Sequence, residues 1–124
     1  MAGVAALVSD LIFSSKIVAT AKAAGVEFKI VRSTAALEGV WGMEPAVLLV
    51  DLEVAGDDPI LAIKWVKMWD KPVQIVAFGS HVQVDRLQAA KEAGADMVLA
   101  RSAFVKQLPE LIAAIGQKEK EASV

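Results

Sequence analysis

The chain has 124 residues, 56% apolar and 23% charged, and its 13 basic against 15 acidic side chains leave a net charge of −2. That length fits one domain, and so apolar a composition excludes a disordered chain, which could not bury enough surface to offset ordering entropy. Near-neutral charge argues against nucleic acid, the lack of cysteine excludes disulfides, thiolate metal sites and cysteine nucleophiles, and the lone histidine, His81, excludes multi-His metal centres.

The opening MAGVAALVSD lacks the basic segment and cleavage site of a signal peptide. No stretch approaches the ~20 apolar residues that a membrane span needs, so a cytoplasmic chain with no membrane partner is expected. The β-branched run Val4 to Val8 reads as a first strand. Ser14 or Ser15 then caps a helix with Ile17, Val18, Ala21 and Ala24 on one face and Gly25 at its end. Val26 to Val31 is a second strand, and Thr34 opens a short second helix through Leu37 and Val40 that stops near Gly42 and Pro45. Ala46 to Val50 is a third strand. Asp58-Pro59 starts a third helix strongly, since Asp caps free N–H groups and proline suits the first helical position. That helix runs to about Trp69, before Lys71-Pro72. Val73 to Phe78 is a fourth strand, a fourth helix spans Gln83 to Gly94, and Met97 to Ala100 is a fifth strand. The last helix begins at Ser102 or at Leu108-Pro109 and fades after Gly116, leaving a polar tail from about residue 117 that reads as frayed.

The pattern is β-α five times over, with no internal linker. Strands one, three and four are nearly continuous apolar runs, as in a parallel sheet covered on both faces. Right-handed crossovers then give a single α/β domain, a doubly wound flavodoxin-like (βα)5 sheet of order 2-1-3-4-5. Ligands of such sheets sit beyond the carboxyl ends of the strands, where the winding reverses. Those ends deliver Ser9-Asp10, Asp51 followed by Glu53, then Ala77, Phe78, Gly79 and Ser80, and lastly Arg101-Ser102. Asp51 is the discriminating member, because it follows PAVLLV directly, where a charge is costly without partners.

This arrangement resembles the receiver domain of bacterial two-component response regulators, over roughly Val4 to Ile115. VSDLIFSSKIV is similar to that family's first strand and acidic turn, PAVLLVDLE to the strand with the phospho-acceptor, KPVQIVAFGS to the fourth strand and switch loop, and AAKEAGADMVLARSAF to the run into strand five. The resemblance implies that Asp51 is the phospho-acceptor. It also implies that Asp10 is an acidic Mg²⁺ ligand beside Asp51, with the Glu53 backbone carbonyl as a third. A carboxylate that attacks a phosphoryl group needs a cation to offset the gathered charge. Three positions depart from the pattern: Ser9 replaces an acidic residue, Ala77 the switch hydroxyl, and Arg101 the usual lysine, with Ser102 where proline commonly follows. Ser80 is the candidate to replace the hydroxyl; the alternative is a solvated loop serine. His81 reads as a surface residue. Arg101 is expected to pair with both oxygens of Asp51 and to share Asp10. The implied molecule is a stand-alone, degenerate receiver, impaired in phosphotransfer, with Mg²⁺ doubtful and no enzymatic activity of its own.

Other ligands of this topology fit poorly. SDLIFSSK has no glycine for a flavin phosphate loop, and there is no D-x-H-x-x-G cobalamin signature, no G-x-G-x-x-G and no P-loop. No flavin, cobalamin or haem is expected. The third helix carries Ile60, Ile63 and Val66 on a core stripe and Leu61, Trp65 and Met68 on another face, with Trp69 beside them. A helix apolar nearly all round is buried all round. Either a partner covers this face or the tryptophans fold down over their own domain; the mean hydropathy of +0.50 favours self-association. Expected partners are another signalling protein, a histidine kinase or an output protein, or a second copy of the chain. The alternative function is a small flavodoxin-like ligand-binding domain or enzyme.

Overall fold

The computed structural model describes residues 3–70 and 72–122, the side chains of Trp41 and residues 118–122 excepted. The expectations for Met1-Ala2, Lys71 and the end of the polar tail therefore lie outside the described residues. The elements are β1 (Val4–Leu7), α1 (Leu11–Ala24), β2 (Phe28–Val31), a 3-10 segment (Ala35–Met43), β3 (Val47–Asp51), α2 (Pro59–Lys67), β4 (Gln74–Gly79), α3 (Val84–Ala93), β5 (Met97–Ala100) and α4 (Arg101–Ala122). The five strands are parallel, in the order β2-β1-β3-β4-β5. This is the doubly wound flavodoxin-like sheet that the hydrophobic pattern predicts. No described helix is long and apolar enough to cross a membrane.

Alternation along the strands divides the core in two. Val4, Ala6, Leu49, Val76 and Phe78 face α1 and α4, where they meet Ile17, Ala21, Phe104 and Ile112. Ala5, Leu7, Leu48, Val50, Ile75 and Ala77 face the other way, onto Leu37, Val40, Ala62, Ile63 and Ala90. Asp58 caps α2 as expected, its Oδ1 accepting from the N–H groups of Ile60 and Leu61 at 3.1 and 3.2 Å.

Three local expectations are corrected. Asp10, rather than Ser14 or Ser15, caps α1: its Oδ1 accepts from the N–H groups of Ile12 and Phe13 at 2.8 and 3.1 Å. Ser14 instead donates its hydroxyl to the Leu11 carbonyl at 3.1 Å, inside the helix. The second crossover is a 3-10 segment and not an α-helix. AALEGVWGM holds two glycines and two β-branched or aromatic residues in nine positions, too little helix propensity for a sustained turn. The last helix starts at Arg101 and runs to Ala122, continuous through Pro109 and past Gly116. Proline costs this helix a hydrogen bond, about 3 kcal/mol. Burial of Phe104, Leu108, Ile112 and Ile115 along one stripe outweighs that, because each large apolar side chain contributes roughly 1.5–3 kcal/mol. Pro109 itself is exposed.

The run into β5 has a clear local cause. Gly94 ends α3 with φ 114°, a left-handed conformation that side chains resist. Two residues on, Asp96 Oδ2 accepts from the Ile75 N–H at 2.8 Å and the Asp96 N–H donates to the Ile75 carbonyl at 2.9 Å. The same carboxylate lies 3.5 Å from Lys67 Nζ. This fixes the register of β5 against β4 and hence the position of Arg101.

Candidate functional site

Asp51 closes β3 at the carboxyl edge of the sheet. It is 2% exposed and is the one buried charged side chain among the described residues. Its Oδ1 accepts from the Glu53 N–H at 2.9 Å and from Arg101 Nη2 at 3.1 Å. The same Nη2 donates to Glu53 Oε2. One nitrogen of the guanidinium therefore bridges two carboxylates. The expected fork onto both oxygens of Asp51 does not form, because Glu53 competes for the same donor.

The guanidinium rests against an aromatic cluster. Arg101 Cζ sits 4.6 Å from the Phe13 ring centroid. Phe13 stacks on Phe78 at 5.6 Å, and Phe78 on Phe104 at 3.9 Å with the ring planes 10° apart. Arg101 Nε is buried there without a hydrogen-bond partner. Arg101 and Phe104 open α4 and Phe13 lies in the first turn of α1, so the aromatic stack ties both helix starts to the charged pair. Burial raises the Asp51 carboxyl above its ordinary pKa; the Glu53 N–H and Arg101 oppose this, and the Glu53 and Asp10 charges reinforce it.

The loop after β3 is held at further points. Ser9 Oγ accepts from the Ala55 N–H at 3.0 Å, and Arg86 Nη1 donates to the Leu52 carbonyl at 2.7 Å. Asp57 accepts from the Thr34 hydroxyl at 2.8 Å and from the Thr34 N–H. Those Thr34 bonds, with the Asp58 N–H, hold the Asp57 carboxyl below its usual pKa. Sequence reading missed Phe13, Arg86 and Asp57. Only Asp57 had a local signal, its place beside the capping Asp58.

Ser80 lines an open cleft of about 610 Å³ together with Glu53, His81, Arg101, Ser102 and Val105. The Ser80 hydroxyl oxygen accepts from the Val82 N–H at 3.4 Å, a turn within its own loop. Ala77 is not at the rim. It is fully buried in register with Val50, on the opposite face of the sheet from Asp51. Phe78 is the β4 residue in register with Asp51, since side chains alternate faces along a strand.

The residues present do not fit the divalent cation that the sequence resemblance implies. Among the described residues no group of three carboxylate or histidine side chains could hold a metal ion. Asp10 is committed to the α1 cap and is not shared by Arg101. Ser9 brings no charge, and the guanidinium occupies the anionic side of Asp51 and Glu53. The cation here is part of the chain.

The third predicted helix is α2. Leu61 and Met68 on it are 57% and 80% exposed. Trp65 and Trp69 are half-buried, packed against the core and edge-to-face with each other at 5.3 Å, so part of the expected partner face is covered from within.

No family model and no curated protein matches the chain. Solved structures do. A putative response regulator from Chloroflexus aurantiacus is 21% identical with a TM-score of 0.78, over 93% of this chain and 97% of that one. NtrX from Brucella abortus is 15% identical with a TM-score of 0.76; the match takes 99% of this chain but only 29% of NtrX. The isolated NtrX receiver domain matches at 13% identity and a TM-score of 0.75, over 90% of this chain and 98% of that domain. In fold, and over nearly its whole length, the protein resembles the receiver domains of response regulators.

Proposed function

We propose that this chain is a receiver-type signalling domain of the two-component class in which an arginine has closed the phospho-acceptor site. Asp51 stands at the acceptor position, is impaired in phosphotransfer, and output passes through protein contacts. The observation that carries this reading is the Arg101 bridge across buried Asp51 and Glu53. Acquiring a phosphoryl group would add negative charge beside Glu53 and Asp10, while the one cation that contacts Asp51 among the described residues is already engaged. The domain is then no enzyme. Its partners are a histidine kinase, an output protein or a second copy of itself, with Leu61 and Met68 on α2 as the contact face, and it acts in the cytoplasm. The runner-up, a small ligand-binding domain or enzyme, has no observation that favours it.

Intact-mass measurement after incubation with acetyl phosphate and Mg²⁺ tests the reading. The expected result is unmodified protein throughout. A persistent phosphorylated species, present in wild type and absent from Asp51→Asn, would overturn the closed site.

A further inference from the structure

The β2 side of the sheet carries positive charge that the fold does not use. β2 pairs with β1 alone and forms the outer edge. The carbonyls of Glu27 and Val31 accept from the N–H groups of Val4 and Val8 at 2.9 and 3.0 Å. Backbone groups alternate sides along a strand, so the N–H and C=O of Phe28 and Ile30 turn toward the open edge. Between α1 and that edge runs a groove of about 530 Å³, floored by Val18, Ala19 and Ile30 and bordered by Ser15, Lys22 and Arg32. Lys22, Lys29 and Arg32 are exposed, and among the described residues none of them forms an ion pair. No acidic side chain lines the groove. Lys22 suits the last turn of α1, where a cation meets the helix dipole. Lys29 and Arg32 have no such role.

We propose that this edge binds an extended, carboxylate-bearing segment of a partner protein, which adds as a strand beside β2. The backbone of Phe28 and Ile30 supplies the ladder bonds, and side-chain alternation supplies the selection. Phe28 and Ile30 pack on the α1 side and Val31 on the other, so Lys29 lies on the face opposite the groove. Acidic side chains of an added strand meet Lys22 and Arg32 on one face and Lys29 on the other. The net positive charge of this edge, three cations against the exposed Glu27, disfavours the β2 edge of a second copy. The occupant is thus an acidic segment of another protein. This proposal does not depend on the chemistry of Asp51.

The test uses the full chain and a fluorescent Glu-Glu-Val-Glu-Glu-Val-Glu peptide, which carries Glu on both faces of an added strand, followed by anisotropy at low ionic strength. Binding is expected, with no binding of the Lys-for-Glu counterpart. Arg32→Glu should weaken it by at least about tenfold. Ile30→Pro removes one outward N–H and leaves the β1 ladder intact, and should weaken it by about tenfold as well. Should Ile30→Pro fold poorly, a peptide N-methylated at alternate residues removes the same kind of bond from the other side and should lose a similar factor. Binding abolished by Arg32→Glu but indifferent to both backbone changes would reveal a patch for any polyanion, nucleic acid included, and would overturn the proposal. So would no binding of the acidic peptide at millimolar concentration.

Discussion

Arg101→Ala should destabilise this domain more than Asp51→Asn. The arginine is the one cation that contacts Asp51 and Glu53 among the described residues. Its loss leaves Asp51, 2% exposed, beside the Glu53 carboxylate. Removing one partner of a fully buried pair costs about 3–5 kcal/mol. Here the Arg101 and Glu53 side chains are each 31% exposed, so water screens part of the interaction. Roughly 2 kcal/mol is the appropriate charge contribution, and the lost stacking on Phe13 adds about 0.5 kcal/mol. For a chain of this size that total lowers Tm by about 10 °C. Asp51→Asn should stay within about 1 kcal/mol of wild type, since Asn Oδ1 still accepts from the Glu53 N–H and Arg101 keeps Glu53. The pH dependence has a definite sign. Burial raises the native Asp51 pKa above 3.8, so the native state holds this proton to higher pH than the unfolded chain does. Wild type therefore loses stability as pH climbs from 3.8 through the native pKa, and Asp51→Asn does not. Urea unfolding of the three proteins at about pH 4 and pH 7 measures both effects. An Arg101→Ala variant as stable as wild type, or an Asp51→Asn variant weaker than Arg101→Ala, would refute the reasoning.

Millimolar Mg²⁺ should raise the wild-type Tm by less than about 1 °C, because a cation excluded by the guanidinium contributes no binding energy to the native state; a large shift abolished by Asp51→Asn would show an open metal site. Phe104→Ala should cost about 3–5 kcal/mol by urea unfolding, as the ring is fully buried and stacked on Phe78 at 3.9 Å. The paired change Leu61→Glu and Met68→Glu should leave Tm unchanged and reduce any self-association seen by sedimentation, whereas Trp65→Glu should lower Tm because that ring packs on the core.

Sequence by itself determined the sheet. Strand order follows from apolar runs at regular intervals and from right-handed crossovers, and these are local patterns that any register preserves. Asp51 was legible for the same reason: a charge directly after PAVLLV can only stand at a strand end or beside partners. Tertiary structure decided what those partners are. Asp10 lies next to the rim in sequence, yet its carboxylate is drawn to the free N–H groups of Ile12 and Phe13, a need that becomes visible only once α1 starts at Leu11. Glu53 takes the arginine instead, because a two-residue step past β3 turns its side chain toward α4. Ala77 looked like a rim residue in the linear order of β4, but pairing with Val50 assigns it to the opposite face. The Phe13 floor under Arg101 joins residues 88 positions apart, 101 − 13, and no spacing in the chain announces it. Periodicity specifies which way a segment faces its own sheet; which side chains then meet across helices is set by packing, where one donor has several acceptors within reach and geometry selects among them.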